Sequence, residues 1–282
     1  RVLLNGLTGG HSGAEIHKGL GNSNKILFEI IASINSIFQI KIVDINGGGL
    51  RNAIPRESSL TLSFSKSHLD EFNDYIKKSS IKYSSKFVKT DPNFNLESEN
   101  LDIIVPSLSY LDTVDLINSV NQCPNGVFEM SKSIDNLVET SNNLANIKLY
   151  DGKLKIQCLT RSSSEDSKEK LSKIISNIFE NINCQCIFSG GYPGWEPNIN
   201  SLTLKEAKRS YLNLFSSDPK VNVIHAGLEC GIIGSHYPKM DMISFGPTIL
   251  GAHSPDEKAS ISSTKKFWNF FKEVLANIPE RN

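Results

Sequence analysis

NIKLYDGKLKIQCLTRSSSEDSKEKLSKIISNIF, residues 146–179, holds in one run the two patterns that decide the fold. Asp151-Gly152 sits between two alternating apolar/polar runs, the strongest short-range signal for a two-residue hairpin turn. The serines at 162–164 and the acids after them are helix-starting residues, and beyond them apolar positions recur three and four apart. A strand hairpin with a helix laid over it is therefore the expected unit.

The same two textures extend outward. Strand-like runs fall at 1–7, 40–47, 59–65, 125–130 and 184–191, and helical periods at 22–38, 67–79, 109–121, 167–181, 202–216 and 263–277. After residue 191 the texture changes: GYPGWEPN leads into a helix, the strand-like VNVIHAG and DMISFGPT, the loop LGAHSPDEK and a last helix. Strand–loop–helix alternation of that kind reads as part of an α/β sheet, whose sites lie at the carboxyl ends of its strands. The expected fold class is thus mixed: an α+β unit of antiparallel sheet with helices over 1–190, then part of an α/β domain over 191–282.

Composition narrows the function. The chain has 282 residues, is 39% hydrophobic and carries 30 basic against 30 acidic residues. A zero balance with no basic run advertises neither a nucleic-acid nor a membrane partner. The apolar stretch ILFEIIASINSIF at 26–38 is broken by Glu29, Ser33, Asn35 and Ser36, so it is no membrane span. Five cysteines without framework spacing read as reduced thiols of a cytoplasmic protein, with Cys184 and Cys186 on one face of a strand as core residues. The opening RVLLNGLTGG has no methionine and starts in a strand, which reads as a piece of a longer protein.

Six histidines are candidates for chemistry, at 11, 17, 68, 225, 236 and 253. His11 lies in TGGHSGAE, where glycines let the backbone turn tightly and a ligand approach. A phosphate loop is disfavoured there, because both G-x-G-x-x-G and a P-loop lysine are missing. His17 reads as structural. His68-Leu69-Asp70 has the form of an H-x-D pair, but SKSHLDEFNDYIKK reads as a helix start capped by Ser67, and on a helix such residues point apart. His253, ahead of Pro255, belongs on a loop where its ring can be aimed. From the residues alone it is either a metal ligand or proton shuttle, or part of a run that merely starts a helix. Arg161 at a strand end offers a forked donor to a carboxylate or caps the sheet edge, and Asn52 in NGGGLRNAIPRE grips substrate or closes a turn.

Taken in order, GLTGGHSGAEIHKGLGNSNK, DINGGGLRNAIPRE, LVETSNNLA, IQCLTRSS, GYPGWEPN, IHAGLECG and MDMISFGPTILGAHSPDE resemble stretches of the bacterial aminoacyl-histidine dipeptidases, also called cytosol nonspecific dipeptidases. The resemblance runs almost end to end. It implies a dizinc exopeptidase whose catalytic α/β domain is interrupted by a lid that also makes a homodimer. The lid would occupy 1–190, and 191–282 would close the catalytic domain. By the same resemblance His253 is a zinc ligand, and His11 is the lid histidine that stabilises the oxyanion in the partner's active site. Asn52 and Arg161 then hold the substrate, and Gly227, Leu228 and Glu229 line its loop.

The chain departs from the family in one respect. The family's other zinc ligands and its catalytic Glu-Glu pair precede the GGHSG segment, and this chain begins just before it. The expected function is metal-dependent hydrolysis of dipeptides such as carnosine, with zinc, or manganese or cobalt, as cofactor and this chain as an inactive fragment. The alternative is a non-catalytic dimerisation or peptide-binding module.

Overall fold

The structure is a computed structural model that describes residues 1–101, 105–132, 134–191, 193–195, 198, 200–223, 228–250 and 257–278. The chain divides into two compact units, one over Arg1–Gly191 and one over most of residues 192–282.

The first unit is built on an antiparallel sheet. In chain order its elements are β1 (Val2–Asn5), β2 (Gly10–His11), α1 (Ser23–Phe38), β3 (Lys41–Gly48), β4 (Ala53–Ile54), β5 (Ser58–Ser63) and α2 (Leu69–Phe87). β6 (Asn95–Ser98), α3 (Tyr110–Gln122), β7 (Gly126–Met130), β8 (Val138–Tyr150), β9 (Lys153–Ser162) and α4 (Glu165–Glu180) complete it. The sheet runs β6-β1-β5-β3-β8-β7, with β9 on β8 as well. β9 pairs with β8 from Thr140 to Tyr150, while β3 takes the Asn146–Leu149 stretch and β7 the Val138–Asn142 stretch. One edge of β8 is therefore covered by β9, and the other is shared end to end by β3 and β7. β2 and β4 form a separate two-residue ladder.

The hairpin is as the sequence dictates. Tyr150 pairs with Lys153, and Asp151 and Gly152 take φ of 49° and 70°, the left-handed pair that a type I′ turn requires. Ser164 caps α4, accepting from the Ser167 N–H at 3.4 Å, with Glu165 and Asp166 complementing the helix dipole. α1 is the central helix. Ile26, Leu27, Ile30, Ile31 and Ile34 recur along it and are buried with Val2, Leu4, Ile42, Leu60, Leu144 and Ile147 of the sheet in one core.

β8 starts eight residues before the expected strand at 146. Its first part, VETSNNLA, lies outside the runs that periodicity marks as strand, yet it pairs in the sheet and Thr140, Ser141, Asn142 and Asn143 are buried. Hydrogen bonds make this burial tolerable: Thr140 shares one with the Ser162 hydroxyl, and both asparagines donate to backbone carbonyls. Two other expectations are corrected in this unit. Residues 184–191 form no strand: the Cys184 N–H donates to the Phe179 carbonyl at 3.1 Å and the Cys186 thiol lies 3.7 Å from the Ser176 carbonyl, tying the run to the end of α4. Both thiols still pack on the main core. Ser67 does not cap α2. A 3-10 turn over Lys66–His68 precedes that helix, so it begins at Leu69.

The second unit contains α5 (Leu202–Phe215), α6 (Leu228–His236), β10 (Ile249–Leu250), β11 (Lys258–Ala259) and α7 (Ile261–Ala276). DMISFGPT at 241–248 is not a strand, and neither are residues 221–223 of VNVIHAG. A strand exists only by pairing, and among the described residues the single ladder here is β10 with β11. Ala207, Phe270 and Val274 form a small core with Tyr211, Phe215, Ile243 and Phe245 against it. Asp241 organises the start of α5. Its carboxylate accepts from the Ser201 hydroxyl and the Thr203 N–H at 2.9 Å each. Burial opposes the charge on Asp241, but these hydrogen bonds outweigh it and hold the carboxyl below its usual range. No helix among the described residues is long and apolar enough to cross a membrane.

Candidate functional site

The first unit brings three of the expected residues to one place. His11 lies in β2, its backbone paired with Ala53 of β4, and the next N–H, from Ser12, donates to the Asn52 carbonyl at 2.8 Å. The turn from Ser12 to Glu15 folds back on the imidazole. His11 Nδ1 accepts from the N–H groups of Gly13 and Ala14 at 3.1 Å each. An acceptor at Nδ1 places the ring hydrogen on Nε2, so the turn selects a neutral imidazole that can donate from its outer nitrogen.

Glu15 fastens this turn from the other side. Its Oε2 accepts the His11 backbone N–H at 2.8 Å, and its Oε1 accepts from Lys18 Nζ at 2.8 Å. The Lys18 ammonium and the His11 N–H together hold the Glu15 carboxyl below its usual range. Gly10 is required here: its φ is 149°, and a side chain would meet Glu15 Oε2 at 2.7 Å.

Arg161 reaches the same turn from β9, where it pairs with Ser141. A side chain on Gly13 would stand 3.1 Å from the His11 ring and 3.3 Å from Arg161 Nε, so imidazole and guanidinium flank one glycine. Arg161 Nε is buried and has no hydrogen-bond partner among the described residues, and the same holds for the Ser12 hydroxyl. A desolvated guanidinium N–H without an acceptor costs about 1–3 kcal/mol or more, so this one calls for a partner such as a water or an anion.

A set of buried asparagines supports these loops, and the sequence reading missed it. Asn143 of β8 donates from Nδ2 to the carbonyls of Arg51 (3.0 Å) and Ala53 (2.8 Å), clasping the turn that carries Asn52. Asn22, the N-cap of α1, donates to Asn125 Oδ1 at 2.9 Å and to the Leu144 carbonyl at 3.2 Å, and lies 3.4 Å from Asn143 Oδ1. Asn146 donates to the Gly48 carbonyl at 3.1 Å. The clustering of asparagines in GNSNK and ETSNNLAN was the available signal, since a strand does not ordinarily gather residues of such low β-propensity.

The remaining expected residues lie elsewhere. Leu228 opens α6 in the second unit, and Glu229 is exposed in that helix's first turn. Gly227 and His253 fall outside the described residues. His17 is exposed in a 3-10 turn. His68 lies 3.3 Å from Glu71 Oε2, with its ring 5.6 Å from that of Phe38. Among the described residues no three His, Cys, Asp or Glu side chains gather in a group that could hold a metal ion.

Comparison with known proteins finds similarity to peptidases. The family profile of a peptidase dimerisation domain matches residues 2–84. Over 281 residues, all of this chain, the sequence is 35% identical to the cytosol non-specific dipeptidase of Escherichia coli (strain K12), covering 58% of it. A shorter similarity, 26% over 142 residues, links 44% of the chain to 33% of the succinyl-diaminopimelate desuccinylase of Sulfurovum sp. (strain NBC37-1). The crystal structure of aminoacylhistidine dipeptidase from Vibrio alginolyticus matches the whole chain with a TM-score of 0.90 at 35% identity, the match covering 57% of that protein. The chain thus spans a little over half the length of the relatives that it matches from end to end.

Proposed function

We propose that this homologue of the aminoacyl-histidine dipeptidases is the substrate-gripping lid, over 1–190, and the closing part of the catalytic domain, over 191–282, of a cytoplasmic, metal-dependent dipeptidase that works as a homodimer. The observation that carries the reading is Arg161 Nε, buried beside the His11 turn and without an acceptor among the described residues. A dipeptide differs from longer peptides in ending in a free carboxylate within two residues of the scissile bond. A guanidinium with its Nε–H buried selects that group by charge-assisted hydrogen bonds.

The neutral His11 is suited to a different atom. Its Nδ1 is occupied by two backbone donors, so Nε2–H is the edge it can offer to an oxyanion as the peptide carbonyl becomes tetrahedral. Being held in that tautomer beforehand means that no reorganisation is needed when the charge develops. Asn52 lies on the turn clasped by Asn143, where its amide would orient the substrate backbone. Gly227, Leu228 and Glu229 belong to the proposed substrate loop. Two zinc ions per subunit, or manganese or cobalt, with His253 as one ligand, would supply the activated water. The described residues do not themselves form such a centre, and their part is to bind, orient and donate.

The test is a pair of variants in the whole protein. Arg161→Met is expected to raise KM for dipeptides about 10–150-fold, the equivalent of losing a hydrogen bond to a charged group. His11→Ala should lower kcat about 10²–10³-fold. If Arg161→Met leaves KM within about twofold, the carboxylate assignment is wrong; binding of dipeptides with no hydrolysis would favour a peptide-binding module instead.

A further inference from the structure

Two thiols stand apart from the site and from every role assigned so far. Cys123 ends α3 and is 1% exposed; Cys158 lies on β9 opposite Leu144 and is partly exposed. Their sulfurs are 4.0 Å apart. We propose that Cys123 and Cys158 form an oxidisable pair, a site where peroxide closes a disulfide that ties the end of α3 to β9.

Three features besides proximity support this. The first is a fixed positive charge. Lys25 Nζ, on α1, donates to the carbonyls of Val120, Asn121 and Cys123 at 2.8 Å each, so its ammonium is locked at the end of α3 and cannot swing away. Burial lowers the Lys25 pKa, while the charges of the two thiols oppose that change. The second is an asymmetry between the sulfurs. The Cys123 S–H and Lys25 favour the Cys158 thiolate and bring its pKa down despite burial, while the same contact and burial push Cys123 up. In the proposed order Cys158 is the nucleophile and Cys123 the resolving thiol. The third is access. Cys158 is partly exposed whereas Cys123 is buried, so an oxidant reaches Cys158 before it could reach Cys123.

The chemistry balances with hydrogen peroxide as the oxidant. The Cys158 thiolate attacks one peroxide oxygen, the O–O bond breaks, and the released hydroxide takes up the thiol proton as water, leaving a sulfenic acid. Cys123 sulfur then attacks Cys158 sulfur, and the sulfenic hydroxyl departs as a second water with the Cys123 proton. Two thiols and one peroxide become one disulfide and two waters. The sulfurs must close by about 2 Å to reach bonding distance, a movement that side-chain rotation can contribute. The bond would close around Asn142, whose amide donates to the Pro124 carbonyl and whose Oδ1 accepts from Thr160 at 3.2 Å.

The experiment is peroxide titration of the native protein, with free thiols then alkylated and peptides mapped without reductant. The expected result is a peptide joining Cys123 to Cys158, two hydrogens lighter than its parts and released by dithiothreitol, with the thiol count falling by two. A link from either residue to Cys184 or Cys186 would overturn the proposal, as would sulfinic acid at Cys158 with Cys123 still reduced. So would both thiols surviving the titration. Cys123→Ser is the second arm: Cys158 should then stop as a sulfenic acid that dimedone traps, whereas a Cys158 inert to peroxide in this variant would refute the assigned order.

Discussion

The two units spend their apolar residues differently. In the first, α1 and the sheet close a single core that runs from Val2 through Ile31 and Leu144 to Phe179. In the second, among the described residues, three helices and one two-residue ladder bury only Ala207, Phe270 and Val274 of the apolar side chains, and leave Leu202 65%, Trp268 55% and Ile261 89% exposed. Both units carry clean helical periods. The difference lies in what the helices have to lie on: a seven-stranded sheet offers a broad face, and a single short ladder does not. An amphipathic pattern states which face a helix would bury, and the available partner decides whether it does.

The contrast can be broken most directly at Phe28, which is 1% exposed at the centre of the first core. Phe28→Ala is expected to remove about 3–5 kcal/mol from that unit. Both tryptophans, Trp195 and Trp268, lie beyond residue 191, so their fluorescence reports on the second unit while far-ultraviolet circular dichroism is weighted to the first. In urea the dichroism midpoint should fall and the tryptophan midpoint should move less. Equal shifts in both would show that the units do not unfold separately.

A smaller effect is expected at Asn143. Asn143→Ala strips the Arg51 and Ala53 carbonyls of their donor, at a cost of about 0.5–1.5 kcal/mol for each part-buried hydrogen bond. Its signature is local: the His11 ring resonances should shift along with stability, because the Ser12 N–H hangs on the same turn. Stability lost with the His11 spectrum unchanged would separate the asparagine network from the site. The least effect belongs to the second unit, where Ile261→Ser should stay within about 0.5 kcal/mol in this chain, as exposed positions do. A larger loss would mean that Ile261 is covered in solution.

Much of the first unit was legible. The Asp151-Gly152 turn, the capped α4 and the long apolar α1 all arise from local rules that tertiary packing happens to agree with. What was not legible depends on distant partners. VETSNNLA shows no strand pattern, and its place in the sheet makes sense only once its asparagines are seen to bond to Arg51, Ala53 and Pro124. DMISFGPT reads as a strand, but strand character in a sequence is only a capacity to pair. Of the site, the glycines around His11 pointed to a tight approach, whereas nothing local announced that Gly13 would lie between His11 and Arg161, separated by 150 residues of chain. His253 and Gly227 owe their assignment to resemblance alone.

The sharing of one β8 edge by β3 and β7 has a consequence for synthesis on the ribosome. β1, β3, β5 and β6 can pair once residue 98 has emerged, yet the outer edge of β3 waits for Asn146–Leu149. At about 5–20 residues per second, Asn146 emerges after Gly48 by on the order of 5–20 s. During that interval β3 presents an unpaired rim of N–H and C=O groups to its crowded surroundings, the kind of template on which nascent chains stick to one another. Asn46, Gly47 and Gly48 occupy the end of that rim, and residues so poor at forming strands make it a bad template for strangers until its own partner arrives.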